Sequence, residues 1–63
     1  MISVGYETTS GESTVVEQFA VPADANAKVA ELKESMSNRN DIHTFFLEKD
    51  FGSFTERYGY IDP

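Results

Sequence analysis

His43 is the only histidine, and Asp41 stands two residues before it, so on a strand both side chains would project to one side and could share a hydrogen bond. A general base or metal ligand needs such a positioned partner, but an exposed or simply hydrogen-bonded histidine is the better account of the residue. Glu48 and Asp50 are the closest same-side carboxylates. Paired carboxylates run acid–base chemistry when burial or repulsion splits their pKa values, and these two flank a turn where water screens them. Ser10-Gly11 and Gly52-Ser53 read as turns, without the spaced glycines of a phosphate or dinucleotide loop. The chain has no cysteine, which excludes disulfides, thiolate-bound zinc and thiol catalysis. One histidine among scattered carboxylates makes a poor zinc site, and calcium-loop spacing is absent. The residues that could do chemistry thus predict no enzyme, no cofactor and no metal.

The elements that must hold these residues are legible in the periodicity. Ile2 to Thr9 alternates Ile2, Val4, Tyr6 and Thr8 against Ser3, Gly5, Glu7 and Thr9, as a half-buried strand does. Ser10-Gly11 turns the chain into a second strand over Glu12 to Val21, completing a hairpin. Alternation breaks in that strand, and a bulge near Glu17 would let Val16 and Phe19 both face inward. After Pro22, Asp24 suits the N-cap of a helix running to about Asn38, with Asn38 or Asn40 stopping it in a left-handed conformation. Ala25, Val29, Leu32 and Met36 form its apolar stripe, and Asp24 and Lys28 stand at i, i+4.

Asp41 to Glu48 fits either a helix or a strand buried on both faces, and length and aromatic content favour the strand. Gly52 takes a positive-φ turn position, and Ser53 to Ile61 is the last strand, with Phe54, Tyr58 and Tyr60 on one face. The predicted class is α+β: one domain over residues 1–63, ordered ββαββ, with a four-stranded antiparallel or mixed sheet and one helix on one face.

Sixty-three residues bury only about 60% of their unfolded surface, so stability is modest, roughly 3 to 9 kcal/mol. Eleven acids against five bases give a net charge of −6, which opposes direct binding to nucleic acid, where lysine and arginine displace counterions. Eight aromatics argue against disorder. Nothing approaches a membrane span, and Met1-Ile2-Ser3-Val4 has neither the basic stretch nor the apolar run of a signal peptide. A cytoplasmic setting is expected, that of the host cell if the protein is phage-encoded. Charge divides unevenly: residues 1 to 21 contribute −3, residues 22 to 40 are balanced, and residues 41 to 63 contribute −3. The excess therefore falls on the two hairpins.

One helix covers one sheet face, so an outward Phe or Leu from Phe45 to Leu47, with Ile42 and Phe46 on one side and Phe45 and Leu47 on the other, should be covered by a partner or a second copy. Tyr6, Tyr58 and Tyr60 either join that interface or finish the core. The expected partner-binding set is Tyr6, Glu7, Glu12, Glu17, Glu48, Asp50, Glu56, Tyr58 and Tyr60.

The stretch from the first hairpin through Val21-Pro22-Ala23-Asp24 to Val29 and Leu32-Lys33 resembles the opening of the β-grasp, or ubiquitin-like, fold. The resemblance covers about 36 residues and implies architecture alone, since Tyr60-Ile61-Asp62-Pro63 stands where such modifiers carry Gly-Gly. In size and charge the chain is similar to small acidic phage-type inhibitors, including anti-CRISPR proteins. The expected function is a small acidic protein-binding module, a stoichiometric inhibitor of a nucleic-acid-binding protein complex that meets a basic surface. The alternatives are a structural or regulatory homodimer and a ubiquitin-like adaptor without conjugation chemistry, the latter expecting a parallel pair at the centre of a mixed sheet.

Overall fold

The computed structural model describes residues 1–62, and Pro63 lies outside them. The chain runs β1 (Ile2–Thr8), β2 (Ser13–Phe19), α1 (Pro22–Ser35), β3 (Ile42–Asp50) and β4 (Thr55–Tyr58). The four strands order as β2-β1-β3-β4, and each neighbouring pair is antiparallel. This is the expected α+β arrangement in ββαββ order. The parallel central pair of a β-grasp sheet is absent, because β1 and β3, the central strands, run antiparallel.

Ile2 and Val4 of β1 and Leu47 of β3 point to the helix side, where they meet Ala25, Val29 and Leu32 of α1. Phe19, Met36, Phe45 and Tyr58 pack around that cluster, so the predicted helical stripe is the one that is buried. Of the stretch Asp41 to Glu48, all but Asp41 resolves as strand, with β3 inside the sheet: Phe46 and Leu47 are both buried although they face opposite ways.

Two bulges set the register. Val4 pairs with Glu17 and Gly5 with Val15, leaving Val16 as the extra residue of β2, close to where the broken alternation placed it. Val16 does not turn inward, however: it stays 43% exposed on the outer strand β2, where only Phe19 packs against the core. On β3, Glu7 pairs with Thr44 and Thr8 with Ile42, so His43 is the extra residue. This bulge moves Ile42 to the parity of Phe45 and away from that of Phe46, with which alternation had grouped it.

Several boundaries differ from expectation. Val21, in extended conformation, is the N-cap, without a side-chain cap, and Pro22 occupies the first turn, where its missing N–H is no loss. Asp24 therefore sits inside the first turn, where its charge favours the helix dipole. Lys28 turns to Glu31 and Glu17 at 3.3 and 3.9 Å, not to Asp24. The helix stops at Met36, and neither Asn38 nor Asn40 takes a positive φ.

The last strand is also shorter than predicted. After Tyr58 the chain leaves the sheet, and Ile61 enters the core with 9% exposure. Asn26 of α1 holds it there, donating to the Ile61 carbonyl at 2.6 Å and accepting from the Ile61 amide at 3.1 Å. Phe54, Tyr58 and Tyr60 consequently do not share a strand face: Phe54 precedes β4 and Tyr60 follows it.

Candidate functional site

On the face of the sheet away from the helix, Phe46 is the buried apolar side chain among the described residues, at 3% exposure. Its ring lies over Gly5, whose missing side chain leaves the space: a Cβ there would come within 3.0 Å of the ring and collide with the Thr14 carbonyl. Arg57 of β4 covers the ring, its guanidinium 4.1 Å from the centroid. Glu48 accepts from Arg57 Nε at 2.9 Å, Glu7 from Nη1 at 3.4 Å, and Ser13 from Nη2 at 3.0 Å. One arginine thus ties β4, β3, β1 and the start of β2 together. The Glu48 hydrogen bond, foremost, holds the guanidinium charged more firmly than usual, with the Glu48 and Glu7 charges adding to it. The expectation that a partner must cover the outward Phe or Leu is corrected here, because the molecule covers Phe46 itself.

Asp41 is similarly engaged. Arg39 donates to its two carboxylate oxygens at 3.0 and 2.6 Å, which lowers the Asp41 pKa and raises that of Arg39. The Asp41–His43 hydrogen bond is therefore not formed, and His43 lies exposed in its bulge. Arg39 also lies over Tyr6, 5.3 Å from the ring centroid, while Tyr6 meets Phe45 edge-on at 6.4 Å. Among the described residues, no group of three or more carboxylates or histidines is placed to hold a metal ion.

The predicted partner-binding residues do not converge. The β1–β2 turn, with Glu12, and the β3–β4 turn, with Asp50, lie at opposite ends of the sheet, since Ile2 pairs with Lys49 and Thr8 with Ile42. Glu7 and Glu48 are occupied by Arg57, and Glu17 faces Lys28 across the helix side. Tyr6 and Tyr58 are half-buried, Tyr58 against the core, and only Tyr60 stands well exposed. Tyr58 donates to Glu56 at 2.6 Å, and this bond, with burial and the Glu56 charge, raises its phenol pKa.

What does converge is the β3–β4 turn. Phe51 and Phe54 stack at 5.0 Å with ring planes 16° apart, and remain 45% and 53% exposed. The turn that presents them is fixed: Gly52, at φ 93°, donates its N–H to the Asp50 carboxylate at 2.8 Å, and Phe51 N–H donates to the Phe54 carbonyl at 2.9 Å. Asp50 and Glu56 flank the rings, neither of them in an ion pair among the described residues. Lys49 lies 5.7 Å from the Phe51 centroid. Sequence reasoning passed over both phenylalanines by assigning Phe54 to a strand. The available signal was two aromatics in a six-residue stretch, Lys49 to Phe54, that also carries turn chemistry.

Set against known proteins, the sequence matches no family model, and no curated protein or solved structure is significantly similar to it. No helix among the described residues is long and apolar enough to cross a membrane.

Proposed function

We propose that this protein acts without catalysis, as a small acidic module that binds a protein with a basic surface and stoichiometrically inhibits a nucleic-acid-binding complex, in the manner of phage-type inhibitors such as anti-CRISPR proteins. The observation that carries the reading is the stacked Phe51–Phe54 pair, held out on a fixed turn between two carboxylates that form no ion pair among the described residues. Exposed aromatics in a preorganised setting, beside two carboxylates and the single ammonium of Lys49, have the make-up of an interface centre: the rings supply desolvated area at little entropic cost, and the carboxylates orient a cationic partner. The cytoplasm, of a host cell if the gene is a phage's, is the setting this reading implies. Glu12 and Tyr60 lie elsewhere and are at most peripheral to it.

The test uses a panel of basic nucleic-acid-binding proteins, titrated with the full chain over a salt series. A partner should lose affinity as salt rises, and Phe51→Ser with Phe54→Ser should weaken it about 100-fold, as loss of hot-spot residues does. Asp50→Asn should weaken it less. Binding that ignores both salt and the two phenylalanines would reject the assignment. Glu7 and Glu48 are unsuitable for charge reversal, because each holds Arg57 over Phe46.

A further inference from the structure

Among the described residues, the edge of β2 that faces away from β1 has no neighbour in the sheet. β2 is the longer outer strand, with seven residues against four in β4, and all but Phe19 are exposed. It contains neither proline nor lysine, residues that commonly blunt a free edge. Beside it, between β2 and α1, lies a cleft of about 300 Å³ lined by Glu17, Phe19, Asp24, Ala27, Lys28 and Glu31. Three carboxylates there outnumber one ammonium, and that ammonium is already shared between Glu31 and Glu17. Asp24 has no cationic partner among the described residues. On the opposite side of the strand, Val15 pairs with Gly5 and is 51% exposed.

We infer that the free edge of β2 takes an extended, arginine-bearing segment of a partner protein by strand addition, with an arginine side chain entering the cleft beside Phe19. Strand addition supplies main-chain hydrogen bonds, and its period of two sends alternate guest side chains to opposite faces. One set meets the carboxylates of the cleft and the other meets Val15, so the guest alternates cationic and apolar residues. The bulge at Val16 divides the edge and pins the register, because only Glu17 to Phe19 borders the cleft. Arginine fits better than lysine, since a planar guanidinium lies flat on a ring while its N–H groups reach carboxylates. The protein uses that arrangement on itself, where Arg57 covers Phe46 between Glu7 and Glu48.

The cationic nature of the guest rests on the proposed function, but the surface is a different one, so the two fail separately. The isotope-labelled full chain is titrated with a synthetic heptapeptide of alternating arginine and valine. Amide shifts and slowed hydrogen exchange should fall on Ser13 to Phe19. Glu17→Gln with Glu31→Gln should lower affinity about tenfold, the variant's own amide spectrum confirming that it is folded. A peptide with lysine in place of arginine should bind several-fold more weakly. Equal binding of a peptide with glutamate in place of arginine would overturn the inference, as would no binding at about millimolar peptide. Shifts confined to Phe51 to Phe54 would overturn it too, while supporting the acidic turn as the interface.

Discussion

On the helix side of the sheet Val4 and Leu47 are fully buried under Ala25, Val29 and Leu32, whereas on the other side a single ring, Phe46, is buried under a guanidinium. The first cover is apolar and non-directional. The second depends on charge and geometry: Arg57 stays over the ring because Glu48, Glu7 and Ser13 hold its nitrogens. A small domain with one helix can thus bury both faces of its central strands, by using a polar side chain as a roof where no second apolar layer exists. The two faces should respond differently to mutation, salt and pH.

The largest effect is expected at Gly5, which serves both sides by letting β2 and Phe46 approach β1. Gly5→Val cannot be accommodated against the Thr14 backbone, and circular dichroism should show the folded state lost. Leu47→Ala, on the helix side, should cost about 2–5 kcal/mol, much of the roughly 3–9 kcal/mol expected for a chain of this length, measured by urea denaturation. That loss should be indifferent to salt. Arg57→Ala, on the other side, should cost less, about 1–3 kcal/mol, and its cost should shrink as salt rises because two ion pairs contribute. Arg57→Met should recover the part due to covering Phe46, which separates roof from charge.

The smallest effect is at Tyr58. Its raised pKa means that its bond to Glu56 contributes fully below the ordinary phenol value of 10.0 and is lost as pH climbs through the higher folded value. Ultraviolet titration of the phenolate should show its midpoint falling in Glu56→Gln.

The helix-covered side was largely readable from the sequence. Ile2 and Val4 alternate, Ala25, Val29 and Leu32 recur at helical spacing, and both patterns are local. The irregular alternation of Val15, Val16 and Glu17 was enough to locate a bulge. The polar-roofed side was not readable, because what covers Phe46 comes from Arg57, eleven positions along the chain, with Glu7 fifty positions from that arginine. No periodicity records such a pairing. The bulge at His43 left no mark in the sequence either, since Ile42 is apolar on either parity. Charge totals for each hairpin can be read from the sequence, but not which carboxylates already have a cationic partner within the chain. Antiparallel pairing of β1 with β3 sends the two turns to opposite ends, and Arg57, Lys28 and Arg39 take up Glu7, Glu48, Glu17 and Asp41.

The two hydrogen bonds between Asn26 and Ile61 make a side-chain amide stand in for a peptide group, giving one proton and receiving another from a single residue. That exchange needs a nitrogen and an oxygen on the same side chain. Deamidation, the slow hydrolysis by which asparagine ages, would replace the donor with a negatively charged acceptor and set it against the Ile61 carbonyl 2.6 Å away. A carboxylate at position 26 would then hold Ile61 less tightly, so the seating of that residue in the core depends on one nitrogen atom of the helix.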